Sequence, residues 1–170
     1  MTLDPSAIHG IRESPPCPSM MTIGKAKLAD AATLTGIAFA AKRHWGYPES
    51  WIRRWESDLT ITSCYLASNP AFVATHEDQP VGFCALKIGE EEAFLDHLWV
   101  LPSDMGKGVG RALFQHAMKT AGSSGARRVK VVSDPHAEAF YLRMGAVVYG
   151  RESASMGGVE RSLPLLEILL

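Results

Sequence analysis

A chain of 170 residues, 46% apolar and 21% charged, is sized for one domain and carries enough apolar surface to bury a real core. Its formal net charge of -1, with acids and bases interspersed, argues against a nucleic-acid footprint and against a patch for anionic membranes, and leaves a small molecule or a local protein site as the partner. No apolar window reaches the roughly 18 residues of a membrane span. Cys17, Cys64 and Cys84 are widely spaced and lack metal-ligand spacing, so they read as reduced structural thiols, with no metal expected. The cytoplasm is the expected location.

Residues 1–20 carry four prolines and no sustained periodicity, and they read as a flexible extension without the pattern of a signal peptide. The domain is expected to span 21–170. MTIGKAK alternates as a short strand. A helix follows, started by Asp30, with Leu34, Ile37, Ala38 and Ala41 at helical spacing. Pro48 then opens a second amphipathic helix, in which Trp51, Ile52, Trp55 and Leu59 share a face. AFVATHEDQPVGFCALKI reads as a hairpin turning across Glu77–Pro80, and EAFLDHLWVLP as a long strand stopped by Pro102.

The period then changes. GRALFQHAMKTAG is helical, with Leu113, Phe114, Ala117 and Met118 on one side and Gly122 as its stop. A strand RRVKVVS, a helix from Asp134 to Met144 ended by Gly145, and two extended runs, AVVYGRES and RSLPLLEILL, complete the chain. The order predicts an α+β fold: a mixed, mostly antiparallel sheet of six to seven strands flanked by about four helices. The apolar tail LPLLEILL, read as an edge strand, suggests a homodimer contact, with core burial of alternate residues as the other reading.

Met105–Gly110 reads MGKGVG, three glycines at alternate positions just before a helix. The first turn of a helix presents unpaired N–H groups and a positive dipole end. Gly106, Gly108 and Gly110 leave that backbone unshielded by Cβ atoms, while Lys107 and Arg111 add positive charge, a combination suited to a pyrophosphate. Tight strand-to-helix packing is the competing explanation. The stretch fits neither a Walker A loop nor a dinucleotide-fold fingerprint.

A strand ending V-x-P and followed by x-x-M-G-x-G-x-G-x-x-L resembles the acetyl-CoA motif of the GCN5-related N-acetyltransferase (GNAT) family, [Arg/Gln]-x-x-Gly-x-[Gly/Ala]. The later SDPHAEAFYLRMGA resembles the family segment that supplies an Asn and a Tyr near the coenzyme sulfur. The resemblance runs from Met21 to the C-terminus. It implies an acetyl-CoA-dependent N-acetyltransferase, with the coenzyme wedged where two strands splay. Main-chain groups of Leu98, Trp99, Val100 and Leu101 would hold pantetheine, Met105, Gly106, Lys107, Gly108, Val109, Gly110 and Arg111 the pyrophosphate, and Tyr141 would protonate the departing thiolate. Two positions depart from the pattern: Met105 stands where the family has Arg or Gln, and His136 where it has Asn.

Chemistry agrees with these assignments, because an amine attacking a thioester needs a proton for the leaving thiolate and a phenol on a helix can supply it. Beside Phe140, Tyr141 can also be read as core. For the general base the sequence offers Asp96, in phase with Leu98 and Val100, or His97, facing the other way unless a bulge intervenes. A water relay is the third possibility. His44, Trp45 and Tyr47 are candidates for the acceptor pocket, whereas Trp51 and Trp55 most simply pack their helix onto the sheet. The expected reaction is direct attack by a primary amine, a small molecule favoured over a protein amine. The competing function is a catalytically weak acyl-CoA-binding or regulatory domain.

Overall fold

The computed structural model describes residues 20–170, so the expected extension lies, but for its last residue, outside the described residues. Seven strands, β1 (Thr22–Lys25), β2 (Ala71–His76), β3 (Gln79–Ile88), β4 (Glu92–Val100), β5 (Arg128–Val132), β6 (Val147–Met156) and β7 (Val159–Leu169), form one sheet in the order β1-β2-β3-β4-β5-β7-β6. All neighbours are antiparallel except β4 and β5. Six helices flank it: α1 (Ala31–His44), α2 (Glu49–Arg54), α3 (Glu56–Leu59), α4 (Ser63–Ser68), α5 (Val109–Ser123) and α6 (Glu138–Arg143).

The helices depart from expectation at three places, each with a local cause. The helix expected from Pro48 breaks at Trp55, whose φ of -88° and ψ of 7° leave the helical region, giving α2 and α3. Helix α4 was not foreseen; Thr62 starts it, its Oγ1 accepting the Tyr65 N–H at 3.0 Å. Helix α5 runs past Gly122 and ends where Gly125 adopts a φ of +95°, the left-handed turn that glycine tolerates best. Asp30 does not cap α1 with its side chain; its carboxylate accepts the Lys27 N–H at 2.7 Å and closes the short 3-10 turn that leads into the helix.

Alternation along the strands divides the core between the two faces of the sheet. On β3, Phe83 and Ala85 pack with Leu34, Ile37 and Ala38 of α1, while Cys84 and Leu86 pack with Leu113, Phe114, Ala117 and Ala121 of α5. Burying a Leu or Phe side chain contributes roughly 1.5–3 kcal/mol, so the α5 stripe is a main anchor of that face. The C-terminal tail is an inner strand: β7 lies between β5 and β6, with Leu166 buried. Its apolar residues therefore do not form the sheet edge expected of a homodimer contact.

Strand β4 carries one residue more than β3 where Leu86 faces Leu95 but Ala85 faces His97, leaving Asp96 as the extra residue of a bulge. Ala93 and Leu95 pack toward α5, and beyond the bulge Leu98 and Val100 take over that face while Trp99 and Leu101 pack with the α1 cluster. β5 pairs β4 only over Glu92–Phe94 and Arg128–Lys130. The parallel ladder stops as β4 enters its bulge, and the two strands part.

Candidate active site

Two cavities open where β4 and β5 separate. The larger, about 690 Å³, runs between β4, the start of α5, β5 and α6; the other, about 570 Å³, lies on the α1 side. Asp96, Trp99 and Val132–Asp134 line both, so the two meet across the gap between the strands.

Leu98, Trp99, Val100, Met105, Gly106, Gly108, Gly110, Arg111, His136 and Tyr141 all line the larger cavity. Gly106 and Gly108 have φ of +78° and +87°, and a Cβ on either would have no other atom within 4 Å. Backbone conformation thus demands glycine at both, and their bare surface faces open space. Gly110 is different: its φ is ordinary, and a Cβ there would touch Phe140 at 3.4 Å, so it serves the approach of α5 to α6. Val109, Gly110 and Arg111 form the first turn of α5, where N–H groups have no carbonyl within the helix to bond.

Leu101, Lys107 and Val109 lie off this cavity. Val109 is core, Leu101 packs with the α1 cluster, and Lys107 donates to Asp104 at 3.2 Å with most of its side chain in solvent. Of the two cations expected near the phosphates, Arg111 is the one on the wall.

Tyr141 is 7% exposed, packed edge-on to Phe140 with ring centres 5.2 Å apart. Burial, with a smaller push from the Cys84 thiol behind it, raises its pKa above the ordinary 10. The phenol keeps its proton at neutral pH.

On the α1 side the bulge turns both Asp96 and His97 into the smaller cavity, so Asp96 does not share the face of Leu98 and Val100. Asp96 accepts Tyr65 Oη at 2.7 Å and pairs with Lys87 Nζ at 2.9 Å. Burial pushes its carboxyl upward, but the hydrogen bonds from Lys87 and Tyr65 outweigh this and hold it below the ordinary carboxylate range. His97 Nδ1 accepts the Trp99 indole N–H at 3.1 Å, which places the neutral ring's hydrogen on Nε2, 3.6 Å from Asp96. Burial dominates there and lowers the imidazole pKa.

Trp45 lines the larger cavity and stacks on His136 at 5.2 Å and 2° between planes. His44 is exposed and touches only the edge of Trp45, and Tyr47 lines neither cavity. Tyr47 instead joins a buried polar cluster not foreseen from sequence. Its hydroxyl donates to Asp134 at 2.9 Å and accepts from Arg161 Nη2 at 2.9 Å, while Lys42 Nζ reaches Asp134 at 2.5 Å. Asp134 also caps the turn before α6 by accepting the His136 N–H at 3.0 Å. Trp55 forms part of the cavity wall, its ring centre 4.1 Å from Lys42 Nζ. A lysine four residues after buried Ala38 was the available signal; for Arg161 there was none.

The sequence profile of the acetyltransferase (GNAT) family matches residues 37–146. The chain belongs to that family. GNAT acetyltransferases use acetyl-CoA as cosubstrate. The peptidyl-lysine N-acetyltransferase YjaB of Salmonella typhimurium is 34% identical over 110 residues, covering 64% of this chain and 70% of that one. Among solved structures, a GCN5-related N-acetyltransferase from Rhodopseudomonas palustris superimposes with a TM-score of 0.72 at 24% identity, over 89% of this chain and 97% of that one. The PaiA N-acetyltransferase from Thermoplasma acidophilum, in complex with coenzyme A, gives 0.70 at 20% identity over 89% and 99%. This GNAT chain thus shares the α+β fold of its neighbours, and no helix among its described residues is long and apolar enough to cross a membrane.

Proposed function

We propose that the protein transfers acetyl from acetyl-CoA to the primary amine of a small molecule by direct attack within a ternary complex. The observation that carries this reading is the meeting of two separate cavities at Asp96, Trp99 and Val132–Asp134. A donor and an acceptor can each occupy one and react at the junction, where proximity replaces a bimolecular encounter.

The coenzyme fits the larger cavity, which has a glycine cradle and helix N–H groups at one end and the free side of a strand along its length. Acetyl-CoA supplies an activated acyl group on a thiol leaving group. Main chain at Gly106–Arg111 and the Arg111 guanidinium would hold the pyrophosphate, and the β4 edge at Leu98–Val100 the pantetheine arm; Leu101 drops out because its N–H bonds Val81 and its carbonyl accepts from Asp104 and Met105. Tyr141 keeps a proton for the departing sulfur. Asp96, below the ordinary carboxylate range, is a poor proton acceptor, so its part is to orient the incoming amine while water in the cavity takes the proton. Neither described cysteine lines a cavity, which favours direct attack over an acyl-enzyme.

A lysine side chain of a peptide is the second reading, favoured by the name of the YjaB relative. Thermal melting with acetyl-CoA and thiol release across amines and a lysine peptide test both. Coenzyme at 100 times its Kd stabilises by about 2.7 kcal/mol. No stabilisation at millimolar coenzyme together with no thiol release removes the proposal.

A further inference from the structure

In the smaller cavity two buried cations, Lys42 and Arg161, meet at one buried carboxylate. Lys42 and Arg161, each with a side chain only 10% exposed, converge on the single carboxylate of Asp134, itself 10% exposed. Asp134 is fully subscribed: Oδ2 receives Lys42 at 2.5 Å and Arg161 Nη2 at 3.3 Å, Tyr47 reaches both oxygens, and Oδ1 also takes the His136 N–H. Two cations against one anion leave one net positive charge in the cluster.

Aromatic faces hold that charge without cancelling it. The Arg161 guanidinium lies 4.9 Å from the Trp55 ring centre and 5.1 Å from that of Tyr47. The wall also carries Lys87, Asp96 and Asp58. Asp96 meets Tyr65 and Lys87 through Oδ2, and Asp58 acts on Lys42 through space without an ion pair to Lys42 or Arg161 among the described residues.

Arg161 keeps donors in reserve. Nη2 makes its bonds to Tyr47 and Asp134, whereas Nε and Nη1 have no partner among the described residues. No buried side-chain nitrogen or oxygen among the described residues lacks a partner, so those two atoms must reach solvent, and Arg161 lines the cavity. An aromatic-backed arginine with free N–H groups inside a cavity is a receptor for a planar anion. At the cavity's junction end, Asp96 holds Tyr65 and Lys87 on Oδ2 and turns Oδ1 to an incoming amine.

We infer that the acceptor amine carries a carboxylate, bound by Arg161 and Lys42, with its amino group turned toward Asp96 at the junction of the two cavities. This rests on the acetyl-transfer reading above and narrows its substrate to short amino carboxylates.

The test is kcat/KM for thiol release with a series of ω-amino carboxylates of increasing chain length, each paired with its methyl amide, plus a lysine peptide without acidic residues. At least one carboxylate should outrun its amide by about tenfold or more, the scale of one charge-assisted hydrogen bond. Arg161→Gln should lose more on that carboxylate than on the amide, and Arg161→Lys should recover part of the difference. Equal rates for every carboxylate and its amide, or turnover of the lysine peptide alone, overturn the inference and leave acetyl transfer standing. No thiol release with any acceptor and no thermal shift with acetyl-CoA overturn both. The wild-type comparison decides even where the variants fold poorly.

Discussion

Trp99 Nε1 donates to His97 Nδ1 at 3.1 Å, and this bond occupies the one basic lone pair of the neutral imidazole. A general base supplies roughly 10²–10⁴-fold in rate. Because His97 has no lone pair left for an amine, we expect His97→Gln to retain kcat within about threefold, far short of that factor. A loss of roughly a hundredfold or more at unchanged melting temperature would make His97 the base.

Tyr141 faces the opposite chemistry, a buried phenol whose proton is held firmly. Tyr141→Phe removes only the hydroxyl from a packed ring, so acetyl-CoA affinity should stay within about twofold while kcat falls by roughly a hundredfold. Titration calorimetry and steady-state rates separate the two effects. Turnover as fast as wild type would end the acid assignment.

Gly108→Ala places a side chain on a residue with φ of +87°. The strain costs roughly 1–2 kcal/mol, and the methyl group intrudes on the open face of the cradle. A lowered melting temperature and a weaker Kd for acetyl-CoA are both expected. An affinity equal to wild type would show that the coenzyme does not approach this backbone. Met105, which lines the same cavity, holds a thioether where a donor would serve a phosphate. Met105→Arg should therefore tighten coenzyme binding; unchanged or weaker affinity would count against the mapping.

His97 also gives the fold a pH dependence. Burial lowers its pKa below the ordinary 6.5, so as pH falls through 6.5 the unfolded chain takes up a proton that the folded ring resists. The unfolded state then binds more protons, and stability declines with falling pH. Asp96 and Asp134, despite burial that pushes them upward, sit below the ordinary 3.8 and add a second decline, as their stabilisation is lost when pH falls from 3.8 through their folded values. Melting temperature should thus drop between pH 7 and pH 5, and His97→Gln should flatten that interval. Identical slopes would mean that His97 is not the group responsible.

The succession of strands along the chain and the two long helices were legible because their apolar periods are long and uninterrupted, whereas the place of β7 inside the sheet was not. The glycine stretch could be read because two left-handed glycines before a helix leave a local trace. The bulge at Asp96 left none: an extra residue in β4 exists only relative to β3, and it reverses which face Asp96 presents. For the same reason the cluster of Lys42, Tyr47, Asp134 and Arg161 was hidden, since it joins three distant segments. Asp134 was legible only as the start of a helix, and it caps the turn there through the His136 N–H.

Initial rates of thiol release, measured while acetyl-CoA and the best amino carboxylate are varied together, show whether both substrates are bound when acetyl moves. Direct attack across the junction of two cavities requires both substrates bound at once, and double-reciprocal lines should intersect. Parallel lines, the mark of a ping-pong acyl-enzyme, would contradict it.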